Sequence, residues 1–356
     1  MSRQHSFSVL SLASLLLIAG CAGFARVTPA YLDRIEAPTP LAGRIDSALT
    51  ALERQGFAGT VLVARGTHMI VYRGYGVADA STGTRASALT RYPFGAVVNQ
   101  FTAAAVLQLQ SAGRLRASDR VGQFDREAGA ELSGATLHEL LTRSREPLEY
   151  ATATGPAAPA AFRDNAPLLA LPLQEQFRAS GVSYAELEKV VAAVSGQPFA
   201  DYRQQHILVP SRMDRTVDAT WIGSADQVAL GNSFGRETAI KAAGLVGPLS
   251  DLYRWHLALE GQTPLDARAR DAMITPGSNS YAPGWVVGET AGGDVLLQHV
   301  GDTEGFQLWT AWLPENDTII LLGINSDIGW RNLASEMLLG LVAGNRGGPP
   351  QRSASR

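Results

Sequence analysis

Residues 59–72 read GTVLVARGTHMIVY, two short apolar runs on either side of Gly66. The runs Thr60–Ala64 and Met69–Tyr72 have the length and the β-branched and aromatic side chains that are typical of strands. Glycine tolerates the backbone of a tight turn, so the stretch predicts a β-hairpin. Apolar residues recur at helical spacing from Leu41 to Leu52, which predicts a helix in front of the hairpin.

The middle of the chain has helical patterns and its end returns to strands. Apolar periodicity, capping residues and terminal glycines predict helices at Asn99–Ala112, after the Thr136 and Glu139 capping box, and at Tyr184–Val194, Phe199–Ile207, Leu252–Leu259 and Leu333–Val342. Strand-like runs occur at Val295–His299, Gln307–Leu313 and Thr318–Ile324.

This order predicts an α+β fold. One antiparallel sheet would be built from both chain ends and flanked by helices, with an all-helical lobe inserted at about residues 91–240. The folded domain is expected over residues 41–344, with a ligand cleft between the lobes.

The composition favours a large folded domain without a nucleic-acid partner. The chain has 356 residues, 46% of them hydrophobic, and a formal net charge of −3. It can bury a sizeable core and has no basic excess to suit a polyanion. The histidines at positions 68, 138, 206 and 256 are dispersed and lack metal-ligand spacing. We therefore expect neither a metal site nor a cofactor.

The N-terminus has the layout of a signal peptide. Arg3 precedes an apolar run from Phe7 to Ile18, and small residues lead to Cys21, the sole cysteine. The run is too short to cross a bilayer as a helix, which takes roughly 20 residues. The segment Ile18–Cys21 resembles the bacterial lipobox, in which the cysteine is lipidated.

We therefore predict a lipoprotein signal peptide over residues 1–20, lipidation of Cys21 and a proline-containing tether over residues 21–40. An ordinary cysteine beside a conventional cleavage site is the alternative. Ala22 stands where some lipoproteins carry the aspartate that retains them at the inner membrane. Attachment to the outer membrane, facing the periplasm, is the expectation, and residues 345–356 are expected to be a disordered tail.

Several stretches together carry a resemblance to a known family. They are Gly59–Ala64 with Gly74–Asp79, Phe94–Gly95 with Gln100–Ala103, Val194–Gln197, Pro210 with Met213, Ala243–Val246 with Ser250–Leu252, and Trp285, His299–Gly301, Gly305–Phe306 and Asn325–Ser326. In this order they resemble the serine β-lactamase-related and penicillin-binding-protein-like hydrolases, a group of class C β-lactamases, esterases and D-alanyl-D-alanine peptidases. The resemblance implies a β-lactamase and transpeptidase-like fold.

The residues that the family uses for catalysis are replaced. The resemblance implies a nucleophilic serine at position 96 and a basic lysine at position 99, on one face of the first helical turn. This chain has Ala96 and Asn99 there. The chain has only two lysines, and Glu186 and Thr238 stand three residues before them, so no Ser-x-x-Lys sequence exists.

The family's second motif, a tyrosine followed two residues later by asparagine or serine, corresponds to Ala179 and Gly181. Its third motif corresponds to His299–Gly301, on a strand that we predict to lie at the sheet edge and to contact an extended ligand. Where relatives read His-Thr-Ser-Gly, this chain has residues 143–146, Arg-Ser-Arg-Glu. The expected ligand cleft is therefore lined by His299, Gly301, Arg143 and Ser144.

Two functions remain open. The first is a non-catalytic, lipid-anchored protein that binds a peptidoglycan-derived or other small-molecule ligand, or a protein partner. The second is a serine hydrolase with a relocated nucleophile at Ser144, Ser180 or Ser233. Ser233 lies in a Gly-x-Ser-x-Gly pattern at residues 231–235, followed by Asp294 and His299 in the order of an α/β-hydrolase triad. Packing or ligand contact is the alternative role of His299. We favour the first function, because acyl transfer needs a nucleophile and a base in register.

Overall fold

An antiparallel sheet joins the two ends of the folded chain. The computed structural model describes residues 39–144, 181–219, 244–277, 280–303, 305–325 and 329–343. Within them the strands are β1 Gly59–Arg65, β2 His68–Tyr75, β3 Val77–Asp79, β4 Thr84–Arg85, β5 Arg91–Pro93, β6 Val217–Asp218, β7 Leu245–Pro248, β8 Tyr281–Ala282, β9 Trp285–Glu289, β10 Val295–Val300, β11 Gln307–Leu313 and β12 Thr318–Ile324. Seven of these form the main sheet, in the order β2-β1-β12-β11-β10-β9-β8.

The helices in the described residues are α1 Pro40–Glu53, α2 Asn99–Ser111, α3 Ala130–Ser133, α4 Leu137–Leu141, α5 Gly181–Ser195, α6 Phe199–Arg203, α7 Leu249–Glu260, α8 Ala267–Ile274 and α9 Trp330–Ala343. A 3-10 turn, Gly95–Val98, leads directly into α2. The capping box predicted at Thr136 and Glu139 opens α4, since each side chain bonds the other residue's backbone N–H. No helix in these ranges is both long enough and apolar enough to span a membrane.

The predicted hairpin is confirmed, and it pairs with the far end of the chain. Strands β1 and β2 are joined across Gly66, which has a φ of +53°. Strand β1 also pairs with β12, placing Val61 opposite Leu322. The fold is therefore α+β, with one sheet assembled from both ends as the sequence predicts.

Each face of the sheet has its own hydrophobic core. Helices α1 and α9 pack against one face through alternate side chains such as Val61 and Trp309. Helices α2 and α7 cover the other face, which presents Leu62 and Trp312. Helix α2 is buried around most of its first three turns, so it is the central helix of this second layer.

The prediction that His299–Gly301 belongs to an edge strand is wrong. Strand β10 is an interior strand that pairs with β11 on one side and β9 on the other, and the edge beyond it is the short strand β8. Strands β8 and β9 escaped prediction because their residues are few and are interrupted by Pro283 and Gly284. Pairing with β9 nevertheless ends at Gln298, whereas pairing with β11 continues to Val300. Strand β10 therefore extends beyond β9 at its C-terminal end.

Two other local predictions differ from the structure. The helix predicted at Phe199–Ile207 is α-helical only to Arg203 and continues as a π-helical turn, Gln204–Leu208. The segment predicted as an inserted helical lobe also carries the short strands β5 and β6, which pair with β7 in a small second sheet. Most of the predicted tether and the whole predicted C-terminal tail lie outside the described residues, and Pro40, the last residue of that tether, already belongs to α1.

Candidate functional site

The turn before α2 lies against the C-terminal end of β10. Gly95 has a φ of +49°, and a Cβ atom added to it would be 2.8 Å from the carbonyl oxygen of Gly301. A side chain on Gly301 would collide with the carbonyl oxygen of Phe94. This contact between two backbones explains the need for glycine at both positions. It brings half-buried Ala96 beside the residues that follow His299.

Asn99 opens α2 and is buried beside Tyr281, with which its side chain is hydrogen-bonded. The Tyr281 hydroxyl is 3.2 Å from Nε2 of His299, and Nδ1 of His299 is 2.9 Å from the carbonyl oxygen of Val300. A carbonyl oxygen only accepts, so Nδ1 carries the hydrogen and Nε2 accepts from the tyrosine hydroxyl. Asn99 and His299 are thus linked through one phenol.

Arg143 closes the same cluster from the end of α4. Its guanidinium carbon lies 5.1 Å from the centroid of the Tyr281 ring, within the range of a cation–π interaction. Its backbone is left-handed, with a φ of 53°, and the residue is buried. A non-glycine residue pays a conformational cost for this backbone, which the surrounding contacts must offset. Asn99, Arg143, Tyr281, His299 and Tyr184 of α5 together form what we term the Tyr281 network.

Tyr184 fixes the position of the network against α4 and the β8–β9 hairpin. Its hydroxyl donates to the carbonyl oxygen of Leu141 at 2.9 Å and accepts from the N–H of Gly284 at 2.9 Å. Its ring meets the Tyr281 ring edge to face, with centroids 6.5 Å apart. Each buried phenol therefore has hydrogen-bond partners, as buried tyrosines usually do.

The electrostatics of the network oppose proton transfer. Burial, together with a smaller contribution from the charge of Arg143, lowers the pKa of His299 to about 4, against a raising contribution from its hydrogen bond to the Val300 carbonyl. Burial raises the pKa of Tyr281, although Arg143 and the hydrogen bonds with Tyr184, Asn99 and Arg143 act in the opposite direction. The imidazole is a weaker base and the phenol a weaker acid than in water. A tyrosine–histidine nucleophile is therefore disfavoured.

Asp294 and His299, the later members of the α/β-hydrolase triad that the sequence order suggests, do not come together in the structure. Asp294 lies in the turn between β9 and β10, where Thr290 donates to its carboxylate at 3.4 Å. His299 is at the opposite end of β10, about 16 Å away for a strand of this length. Its two ring nitrogens already engage Tyr281 and Val300. Asp294 therefore cannot orient His299, and Ser233 lies outside the described residues.

The structure brings together Arg143, Asn99 and His299, with Gly301 and Ala96 beside them. Ser144 is exposed next to Arg143, and its N–H donates to the carbonyl oxygen of Glu139. Gly181 is the first residue of α5. Ala179, Ser180, Arg145, Glu146 and Cys21 lie outside the described residues.

Sequence reasoning missed Tyr281 and Tyr184, which hold the network together. Tyr281 stands four residues before Trp285, a landmark of the resemblance, but nothing in its local sequence marks it as a partner of Asn99. Within the described ranges, no group of three or more His, Cys, Asp or Glu side chains could hold a metal ion.

A sheet made from both chain ends, a buried central helix and a strand end beside its first turn define a protein of the β-lactamase and transpeptidase-like fold class. The chain belongs to the Beta-lactamase family, whose model matches residues 45–335. It is 25% identical over 294 residues to a putative penicillin-binding protein, PbpX, of Bacillus subtilis, covering 77% of this chain and 72% of that protein. It is 21% identical over 302 residues to the protein flp of Staphylococcus aureus, covering 75% of this chain but only 60% of that protein.

Solved structures share the fold. FmtA of Staphylococcus aureus aligns with a TM-score of 0.68 at 15% identity, over 91% of this chain and 95% of that one. The octameric penicillin-binding protein homologue of Pyrococcus abyssi aligns with a TM-score of 0.66 at 20% identity, over 85% of this chain and 77% of that one. The D-amino acid amidase of Ochrobactrum anthropi aligns with a TM-score of 0.68 at 16% identity, over 86% of this chain and 100% of that one.

Proposed function

We propose that this protein is a lipid-anchored, periplasm-facing member of the Beta-lactamase family that binds a cell-wall-derived ligand without cleaving it. The alternative is a protein partner that binds at the same site. The observation that carries the proposal is the environment of position 99. There Asn99 is hydrogen-bonded to Tyr281 in the buried Tyr281 network, where the family resemblance implies a lysine base.

Three features support the absence of acyl transfer. Ala96 has no nucleophilic atom, and the amide of Asn99 has no basicity near neutral pH. Burial also makes His299, the nearest titratable base, harder to protonate. A nucleophile, a base and their mutual register are all needed for this reaction, and neither the nucleophile nor the base is present at these positions.

The retained backbone supports binding. Strand β10 extends beyond β9 at Val300, and this end lies beside the turn that carries Ala96. An extended peptide can bind along such a strand end through its main chain. Relatives named as penicillin-binding proteins support a ligand from the cell wall. The signal-peptide layout and Cys21 support export and attachment by lipid, with the outer membrane favoured by Ala22.

Calorimetric titration of the protein with soluble peptidoglycan fragments tests the proposal. Ala96→Trp should abolish binding, because its side chain would fill the space beside the end of β10. Ala112→Trp is a matched control, since Ala112 is exposed just after the far end of α2, about 20 Å away. It should bind like the unmodified protein. Fragments recovered intact after incubation would support binding without cleavage, whereas cleaved fragments would replace the proposal with a hydrolase.

A further inference from the structure

Four of the buried polar atoms that have no hydrogen-bond partner within the described part of the chain lie on the face of the sheet that carries the Tyr281 network, where Thr310 is opposite His299. They are Nε2 of Gln100, Nε2 of His256, Nε1 of Trp285 and Oγ1 of Thr310. Their residues are between 0% and 2% exposed, so bulk water cannot satisfy these atoms. A buried polar atom without a partner is costly, and each case in a folded protein calls for an explanation.

The four residues converge from different elements on one side of the sheet. The His256 ring, on α7, has its centroid 5.4 Å from the Trp285 ring of β9 and 6.0 Å from the Trp312 ring of β11. Thr310 is two residues before Trp312 on β11, so both side chains point to the same face. We term the meeting point of α2, α7, β9 and β11 the inner junction.

Gln100 reaches the inner junction from α2. Its Oε1 accepts from Nε1 of Trp255, the neighbour of His256, at 2.8 Å. Its Cα atom lies so close to Gly284 that a Cβ atom there would be 2.7 Å away, and Gly284 directly precedes Trp285. The Gln100 amide therefore lies between Trp255, the neighbour of His256, and the turn that precedes Trp285.

The atoms at the inner junction are complementary to a small neutral molecule. Gln100 Nε2 and Trp285 Nε1 can only donate, whereas the Thr310 hydroxyl can both donate and accept. Burial lowers the pKa of His256 to about 3, so its imidazole is neutral and one ring nitrogen can accept. No carboxylate, ammonium or guanidinium belongs to this set, so a charged molecule would find no counter-charge here, whereas a neutral one needs none.

We infer that the inner junction binds internal water, which bridges Trp285 Nε1, His256 Nε2, Thr310 Oγ1 and Gln100 Nε2. A buried water molecule typically makes two to four hydrogen bonds to such groups, so about four partners suffice. The water would link Gln100, in the first turn of α2, to the sheet beneath it. This site does not depend on the proposed function.

Nuclear magnetic resonance of protein labelled at its tryptophan indoles tests this inference directly. The six tryptophans give six indole N–H signals, and Trp285→Phe assigns the relevant one. The Trp285 indole proton should show a cross-peak to long-lived water. Trp255 is an internal control, because its equally buried indole donates to Gln100 and should show no such peak.

Two variants should alter the Trp285 signal. Thr310→Val is nearly isosteric, so it should leave the fold intact while weakening the water cross-peak, and His256→Phe should remove it. Trp309→Phe changes an indole on the opposite face of β11, which donates to Gln298, and should leave the peak unchanged. The absence of a water cross-peak at Trp285 in the unmodified protein would overturn the inference. A peak of equal size in both variants would overturn it as well.

Discussion

Tyr281→Phe removes the one hydroxyl that links Asn99, Arg143 and His299 while it keeps the buried ring. His299 is 1% exposed, and its Nε2 atom accepts a hydrogen bond from this hydroxyl at 3.2 Å. Removal of the donor takes one hydrogen bond from a buried acceptor, and the loss of such a bond costs about 1–3 kcal/mol. The ring packing against Tyr184 and Arg143 is retained, so no large cavity term is added.

The assay is urea unfolding at neutral pH, followed by circular dichroism and tryptophan fluorescence. The free energy of unfolding should fall by about 1–3 kcal/mol without a change in the denaturant slope. Tyr202→Phe is the matched control, since the Tyr202 ring is also buried but lies outside the Tyr281 network. It should change stability by less than about 0.5 kcal/mol. An unchanged or raised stability for Tyr281→Phe would refute the hydrogen-bonded network.

Three further predictions concern the replaced catalytic positions, the buried histidines and the lipid anchor. Ala96→Ser alone should remain inert toward a reactive ester, whereas Ala96→Ser combined with Asn99→Lys should be acylated slowly. Intact-protein mass spectrometry would detect the acyl group. Equal reactivity of the two variants would contradict the roles assigned to positions 96 and 99. Burial lowers the pKa of His299 to about 4 from an unfolded value of 6.5, so the unfolded chain binds more protons between these pH values. Its contribution of roughly 3 kcal/mol should be present above pH 6.5 and lost as the pH falls to about 4. Burial also lowers the pKa of His256, so this residue contributes to the pH dependence of stability in the same direction. His299→Gln should reduce the pH dependence of the free energy of unfolding. An unaltered pH dependence would exclude a buried neutral His299. Cys21→Ser should leave the membrane fraction while the folded domain stays in solution, and membrane association that survives high salt would show that lipid is not the anchor.

The sequence predicted well those elements whose signals are local. Strands β11 and β12 have the predicted bounds, because Gln307–Leu313 and Thr318–Ile324 are short, mainly apolar runs. The capping box at Thr136 is likewise a pattern of four adjacent residues, and the structure contains both of its hydrogen bonds. The family resemblance, rather than a local pattern, predicted that Asn99 occupies the position of the catalytic lysine at the start of α2.

The rest depended on contacts between distant segments. Tyr281, Asn99 and His299 are far apart in the sequence, and only the close approach of α2 and β10 brings them together. Strand β10 is an interior strand because β9 pairs with its other side. The sequence did not predict β9, because this strand is short and contains a glycine. Burial also determined the chemistry of His299, because the pKa of a histidine cannot be inferred from its neighbours in the chain.

The central claim is that the cleft contains no reactive nucleophile. Intact-protein mass spectrometry after incubation with a penicillin, and separately with a fluorophosphonate, tests it most directly, since a stable adduct adds the mass of the probe and peptide mapping locates it. We predict that the folded protein shows no adduct with either probe, while Ala96→Ser with Asn99→Lys forms one at residue 96. A stoichiometric adduct on the unmodified protein at Ser144, Ser180 or Ser233 would contradict the claim and identify a serine hydrolase with a relocated nucleophile.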